Sequence, residues 1–256
     1  MNPESWDAIR AITPARVALG RAGGSLTTAA RLQFRADHAR ARDAVNQDFD
    51  VHRLVDALTG GGHAAVALSS AAASREEYIR RPDLGRVLAE HSRGALRALA
   101  AHPYDLAIVV CDGLSPLAIE RDGPPLVDAI LERLDDWSIA PVAVVANGRV
   151  AVGDDVGVTL GARLVVVLIG ERPGLSVSES IGAYVTFEPA LDRTDAQRNC
   201  VSNIHDRGLS IDEAAYRIVG LSRRASIQGL SGIGLHDEDP TDVLDSVSPI
   251  EPTQLA

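Results

Sequence analysis

The sequence feature that most constrains the fold is an unbroken apolar run at residues 164–169, between Gly161 and Gly170. Most of its residues are β-branched and the run is too short for an ordinary helix, so it predicts a strand buried on both faces. Such strands belong to parallel sheets covered by helices, where ligands bind at the carboxyl ends. Glu171 and Arg172 follow the run directly. We therefore expect a ligand contact there, although charges at a strand end also commonly serve only to solvate the loop.

Further apolar runs predict strands beside this one. Residues 106–111 and 141–146 have the pattern of buried strands, and residues 182–187 predict a last or edge strand because a proline closes them. Asn147-Gly148 predicts a tight hairpin that leads from the strand at 141–146 into an extended segment at 149–152. The central strands are thus predicted to form one sheet.

Helices are predicted from apolar residues that recur every three or four positions and from end signals. The predicted helices are an amphipathic one at 27–45, one that Pro82-Asp83 opens and His102-Pro103 ends, one that begins at Ser115-Pro116, one at 124–137, a short one started by Asp154 and Asp155, and one from Ser210 to Gly229. Alternating strands and helices indicate an α/β fold, a Rossmann-like, mostly parallel sheet flanked by helices, with an N-terminal helical extension.

The composition along the chain predicts three regions. Residues 1–103 form an arm and a helical region, and residues 104–235 form the Rossmann-like domain. Residues 236–256 are acidic, proline-bearing and aperiodic, which is typical of a flexible tail. Within the second region, residues 194–204 are polar on most faces and are interpreted as the lining of a site.

Charge and composition exclude several classes of protein. The net charge is -10, from 35 acidic and 25 basic residues, which argues against a nucleic-acid partner. The chain has no lysine, and so no Schiff-base or pyridoxal phosphate attachment and no P-loop lysine. No apolar stretch reaches the roughly 18 residues of a membrane span. Two cysteines at no metal-ligand spacing and no signal peptide predict a soluble protein of the cytoplasm.

Motifs of self-contained catalysis are absent from the sequence. The segment 229–233 fails the G-x-S-x-G pattern at its last position, and there is no H-E-x-x-H and no C-x-x-C. We therefore expect no catalytic residue and no metal ligand from this chain, and a scaffold whose ligand does the chemistry. Two alternatives stay open: a nucleotide-dependent oxidoreductase on a Rossmann scaffold, for whose glycine fingerprint only Asp112-Gly113 is present, and a structural partner of a microcompartment.

Several sequence blocks match one known family. The chain resembles the small subunit of ethanolamine ammonia-lyase over residues 13–234, and the end of the 161–176 block, Ile-Gly-Glu-Arg-Pro-Gly-Leu-Ser, is highly specific. The matching blocks are residues 13–24, 37–45, 81–85, 112–115, 148–151, 161–176 and 198–204.

The resemblance implies a function in a larger enzyme. The family is an adenosylcobalamin-dependent (coenzyme B12) lyase that converts ethanolamine to acetaldehyde and ammonia by a radical mechanism. It is a hetero-oligomer of a large barrel subunit and this small subunit, located in the cytoplasm or in a bacterial microcompartment. The resemblance places cobalamin between the subunits in the base-on form, and the base-off motif D-x-H-x-x-G is indeed broken by Val55. The substrate contacts belong to the large subunit, so this chain alone is expected to be inactive.

The resemblance also implies which residues contact the cofactor. The family's cobalamin contacts fall on Val150, Glu171 and Cys200 of this sequence. Glu171 can accept hydrogen bonds from corrin amides, Val150 can offer an apolar wall or backbone groups, and Cys200 can line a contact without binding cobalt. The alternative for Cys200 is an ordinary buried core cysteine. By the same resemblance, residues 1–103 pack on the large subunit and residues 104–235 bind the cobalamin.

Overall fold

The computed structural model describes residues 6, 9, 16–17, 19–101 and 103–235. Most of the predicted N-terminal arm and the whole predicted tail lie outside these residues. From residue 19 onward the described residues form eight strands and seven α-helices. The strands are β1 (Arg21–Ala22), β2 (Ser25–Leu26), β3 (Ala65–Ser69), β4 (Tyr104–Cys111), β5 (Val142–Ala146), β6 (Ala162–Gly170), β7 (Ile181–Phe187) and β8 (Asn199–Ile204). The helices are α1 (Thr28–Val45), α2 (Val51–Gly60), α3 (Arg75–Arg80), α4 (Glu90–Arg97), α5 (Pro116–Leu131), α6 (Val152–Leu160) and α7 (Ile211–Gln228).

Six strands form one sheet in the order β3-β5-β4-β6-β7-β8. The first four run parallel, and β7 is antiparallel to both of its neighbours. This confirms the predicted α/β fold with a mostly parallel sheet flanked by helices. Because β3 lies before residue 103, the N-terminal region contributes a strand to this sheet. The predicted division at residue 103 stays a prediction.

Helices cover both faces of the sheet and create two core layers. One layer joins the sheet to α2, α5 and α7, and the other joins it to α4 and α6. Adjacent β4 residues alternate between them, since Ile108 belongs to the first and Val109 to the second, and both are fully buried. Each such side chain contributes about 1.5–3 kcal/mol of hydrophobic stabilisation. The central strands are therefore a rigid base for the loops at their ends.

The prediction that residues 182–187 form the last or edge strand is wrong. β7 pairs on its outer side with β8, where Tyr184 lies opposite Cys200, and β8 is the edge. Only Val201 and Ile204 of β8 are buried. An edge strand needs few apolar residues, which is why this segment has the composition of a polar lining.

The predicted helix from Pro82 to His102 is broken into two pieces. A 3-10 turn at Leu84–Arg86 is followed by extended backbone, and α4 begins only at Glu90. The extended residues make tertiary hydrogen bonds instead of helical ones, since the Leu88 N–H donates to the Asp155 carboxylate at 2.9 Å. The predicted end of this helix at His102 lies outside the described residues.

The separate helix predicted at 124–137 is also wrong. α5 begins at Pro116 as predicted and continues through Pro124 and Pro125 to Leu131. The Ser115 hydroxyl makes no cap and donates instead to the Ser178 carbonyl at 3.2 Å. An interior proline costs about 3 kcal/mol or more, and burial of the apolar side chains around this pair offsets that cost. The buried apolar side chains of α5 include Ile119, Leu126, Val127 and Ile130.

The predicted helix at 27–45 is confirmed as α1, but its apolar side is largely exposed. Its only buried residue is Asp37, which binds the side chains of Arg16, Gln33 and Arg40. Phe34, one of the large apolar residues of this helix, is 42% exposed. Within the described residues, α1 is thus held by a polar cluster rather than by core packing.

Candidate functional site

The candidate site is a cleft of about 310 Å³ at the carboxyl ends of β4, β5 and β6. The chain passes from β4 to β5 on one side and then to β6 on the other, so the strand order reverses at β4. In open α/β sheets this reversal leaves the crevice in which ligands bind. The lining residues are Tyr78, Arg86, Gly113, Leu114, Arg149, Val150, Ala151, Ile169, Gly170, Glu171, Arg172, Tyr184 and Asp195.

The floor of the cleft is a close backbone contact between the loops after β4 and β6. Gly113 has a φ of +56°, and a Cβ atom there would lie 2.1 Å from the Gly170 carbonyl oxygen. The Leu114 N–H donates to the same oxygen at 2.8 Å. Only glycine satisfies both the conformation and the spacing. The two loops are thereby fixed relative to each other.

Beneath the floor lies Asp112, a fully buried carboxylate at the end of β4. It accepts hydrogen bonds from Arg75 Nη1 at 2.6 Å and from the Gly148 N–H at 3.3 Å. Burial raises the pKa of Asp112 to about 6, and the positive charge of Arg75 opposes the rise. Arg75 also donates to the Val45 carbonyl at the end of α1. This cluster therefore ties α1 and the loops after β4 and β5 together.

Val150 lies two residues before α6, half-buried against the second core layer. The predicted hairpin and the extended segment at 149–152 are wrong. Asn147 has the positive φ of such a hairpin, but Gly148 does not, and the chain turns directly from β5 into α6. Gly148 allows this turn, since a Cβ there would lie 2.6 Å from the Cys111 sulfur. Val150 accordingly faces the cleft from a strand-to-helix turn.

The short helix predicted to start at Asp154 and Asp155 is confirmed as α6, but both carboxylates do more than complement the helix dipole. Asp154 forms a buried ion pair with Arg198, with Nη2 2.5 Å from Oδ2. Asp155 binds Arg93 of α4 at the same distance. The start of α6 is thus held from two sides.

Glu171 is half-buried at the end of β6 and has an organised environment. Its Oε2 accepts hydrogen bonds from the Ser180 hydroxyl at 2.7 Å and from the Asn203 N–H at 3.2 Å. Among the described residues no donor contacts Oε1. Neighbouring Arg172 is exposed. The carboxylate is therefore held in place with one oxygen available to a ligand.

Cys200 is an exposed thiol on β8 and does not line the cleft itself. The Tyr184 hydroxyl, which does line it, hydrogen-bonds the Cys200 sulfur. Desolvation raises the pKa of the Cys200 thiol, and the hydrogen bond from Tyr184 opposes the rise. Cys200 lies on a second depression, formed by β8 and the turn after it, whose other lining residues include Asn203 and Arg217.

The structure therefore brings Val150 and Glu171 into one cleft and places Cys200 one side chain away, across Tyr184. Neither tyrosine of the cleft, Tyr78 or Tyr184, was predicted from the sequence motifs. Tyr184 could have been singled out as a polar-tipped aromatic residue in a strand that is mostly apolar. Tyr78 belongs to the short helix α3, and nothing in its sequence neighbourhood indicates that it reaches the site.

The topology and the cleft define this chain as an α/β protein with an open cleft at the carboxyl edge of its sheet. The sequence model of the family described as "Ethanolamine ammonia-lyase light chain (EutC)" matches residues 3–236. Relatives described as "Ethanolamine ammonia-lyase small subunit" are similar over nearly the whole chain. The one from Azotobacter vinelandii is 51% identical over 242 residues, which cover 93% of this chain and 89% of the relative. The one from Bradyrhizobium diazoefficiens is 52% identical over 233 residues, which cover 90% and 89%. The chain belongs to the ethanolamine ammonia-lyase light chain family, as its sequence blocks indicated.

Two features are absent from the described part of the chain. No group of three or more histidine, cysteine, aspartate or glutamate side chains there is arranged to hold a metal ion. No helix in the same residues has the length and apolar character needed to cross a membrane.

Proposed function

We propose that this chain is the small subunit of an adenosylcobalamin-dependent ethanolamine ammonia-lyase, and that it binds one side of the cobalamin at the interface with the large subunit. The observation that carries the proposal is that Val150 and Glu171 line the same cleft at the strand-order reversal. Cys200 adjoins that cleft through Tyr184. The proposed lyase activity is inferred from family membership, and the proposed cobalamin-binding position is inferred from the cleft.

The residues at the cleft fit a corrinoid. The rim of a corrin carries amide groups, whose N–H groups can donate to the available Oε1 of Glu171. Val150 offers an apolar surface, and the small Cys200 side chain leaves room beside it. A cleft of about 310 Å³ is much smaller than cobalamin, whereas ligand sites commonly enclose most of the ligand's surface. A second wall is therefore required, and the large subunit would provide it.

When bound, adenosylcobalamin supplies the radical chemistry that converts ethanolamine to acetaldehyde and ammonia. The residues of this chain hold and orient it: Glu171 by a hydrogen bond, and Val150 by apolar contact. They also keep water away from one side of the ligand. The substrate contacts lie on the large subunit in this proposal, so the isolated chain would be inactive.

The N-terminal region would pack on the large subunit. α1 exposes Leu32 and Phe34, at 57% and 42%, and an exposed apolar surface of this kind suits a protein partner. The assembled hetero-oligomer would work in the cytoplasm or inside a microcompartment.

The proposal is tested by coexpressing the chain with an ethanolamine ammonia-lyase large subunit. The complex should bind cobalamin in equilibrium dialysis and release acetaldehyde from ethanolamine, and the chain alone should release none. Glu171→Ala should weaken cobalamin binding by about 1–3 kcal/mol, the cost of one hydrogen bond to a charged group. Glu132→Ala, an exposed carboxylate at the opposite end of the sheet, is the matched control. Unchanged affinity in Glu171→Ala would remove its role, and turnover by the isolated chain would refute the division of labour.

A further inference from the structure

Three arginines line the cleft from three different segments: Arg86 from the 3-10 turn, Arg149 from the loop after β5, and Arg172 from the loop after β6. Two carboxylates, Glu171 and Asp195, line it as well. The cleft therefore carries an excess of positive charge in a chain whose net charge is -10. A cleft with this positive charge favours a ligand that carries a negatively charged group.

The donors of these arginines are largely unused. Within the described residues, the side chains of Arg86 and Arg172 make no hydrogen bond or ion pair. Arg149 donates one hydrogen bond, from Nη2 to the Tyr78 carbonyl at 3.2 Å, while its buried Nε has no acceptor in the described chain. Buried donors without acceptors are uncommon in folded proteins. The unpartnered N–H groups of these arginines do not stabilise the fold, and they are available to a ligand.

Arg149 is nevertheless held in a fixed position. Its guanidinium stacks on the Tyr78 ring, with Cζ 4.5 Å from the ring centroid. Its backbone N–H donates to the Gly85 carbonyl at 2.7 Å, which places the turn of Arg86 directly beside it. A planar guanidinium ordered by stacking is preorganised for bidentate binding of an oxyanion.

We propose that Arg86, Arg149 and Arg172 form a subsite for the phosphodiester of cobalamin. The inference rests on the proposed function, because it names the part of that ligand which the arginines contact. The amides around the corrin are neutral, and the phosphodiester of the nucleotide loop is the anionic group on the periphery of the molecule. Arginine pairs most strongly with such an anion. Glu171 and the arginines would then hold different parts of one ligand, the amides and the phosphodiester.

The test compares two corrinoids bound to the complex with the large subunit. Cobalamin has the phosphodiester, whereas cobinamide keeps the corrin amides and lacks the phosphodiester and the base. Arg149→Gln and Arg172→Gln should each raise the dissociation constant for cobalamin by about 10- to 100-fold, the range for a hydrogen bond to a charged group. The dissociation constant for cobinamide should change by less than about threefold. Arg172 is exposed, so its variant keeps the test valid if Arg149→Gln folds poorly.

Two controls separate the subsite from a general effect of charge or packing. Arg97→Gln removes an arginine that is 64% exposed, in the last turn of α4 and away from the cleft, and should change neither constant. Arg149→Lys keeps the charge and loses the planar fork, and should recover part of the lost affinity.

The outcomes are distinct. If both glutamine variants weaken cobalamin and cobinamide equally, the arginines contact amides and the subsite proposal is overturned while the proposed function stands. Unchanged cobalamin affinity in both variants would likewise overturn the subsite proposal and leave the proposed function standing. If the wild-type complex binds no cobalamin, the proposed function itself fails, and the subsite fails with it.

Discussion

The buried ion pair between Asp154 and Arg198 should be among the most costly interactions to break in this chain. Arg198 donates to both carboxylate oxygens of Asp154, at 2.8 and 2.5 Å, and to the Thr186 hydroxyl at 3.0 Å. Both side chains are only 2% exposed. The pair connects α6, which follows Val150, to the segment that enters β8, which carries Cys200. It thus fixes the two sides of the candidate site relative to each other.

The magnitude follows from this burial. Asp154→Ala leaves the buried Arg198 charge with Asp195, an exposed carboxylate 3.7 Å from its Nε, as its remaining acidic partner. Arg198→Met leaves the buried Asp154 charge without its ion-pair partner. Removing one member of a buried pair costs about 3–5 kcal/mol. For a chain of this size, that loss lowers the melting temperature by about 6–20 °C. Removing both charges leaves no buried ion, so the double variant should cost much less than the sum of the single variants.

Urea denaturation of the four proteins, followed by circular dichroism, measures the coupling directly. We expect an interaction free energy of about 3 kcal/mol or more from the double-mutant cycle. Arg223→Met is the matched control, because its pair with Asp136 is 42% and 58% exposed and should contribute less than about 1 kcal/mol. Additive costs in the cycle, or single variants as mild as the surface control, would refute the reasoning.

Three further predictions concern the cleft. The folded state binds a proton at Asp112 more tightly than the unfolded chain between pH 3.8 and about 6, so stability falls as pH rises through this window. The free energy of unfolding of the wild type minus that of Asp112→Asn should therefore fall by about 2 kcal/mol between pH 4 and 7, and a flat difference would contradict the buried carboxylate. Gly113→Ala should destabilise the fold by about 3 kcal/mol or more in urea, since its Cβ would meet a backbone oxygen at 2.1 Å. Gly94→Ala in α4, where nothing lies within 4 Å, should be neutral or stabilising, and equal effects at the two glycines would argue against the close contact. Iodoacetamide should alkylate Cys200 more slowly than free cysteine at pH 8, and Tyr184→Phe should slow the reaction further because it removes a hydrogen bond that lowers the thiol pKa. Faster alkylation in that variant would show that the tyrosine acts only as a steric shield.

The buried central strands were predictable because the pattern that identifies them lies within each strand's own sequence. A strand covered on both faces must be apolar at nearly every position, and β4, β5 and β6 are. The capping residues of α7 are equally local, with Ser210 accepting from the Glu213 N–H and Gly229 ending the helix at a φ of +70°.

Features that depend on distant partners were not predictable. β8 is a strand because β7 offers it a free edge, and its own composition is that of a polar loop. The position of Glu171 follows from the end of β6, but its contact with the Asn203 N–H joins residues 32 positions apart. Val150 was reached through family resemblance, since its own sequence pattern suggested a hairpin that does not form.

The sparse packing of α1 has a consequence for any measurement of stability. A helix of 18 residues that buries one aspartate gains little from the sheet and is marginal by itself. It can therefore open without the rest of the chain, and its local free energy of opening lies far below that of the central strands. Unfolding of the chain alone should be treated as that of a cooperative sheet domain with a fraying helix attached, and not as a single two-state transition.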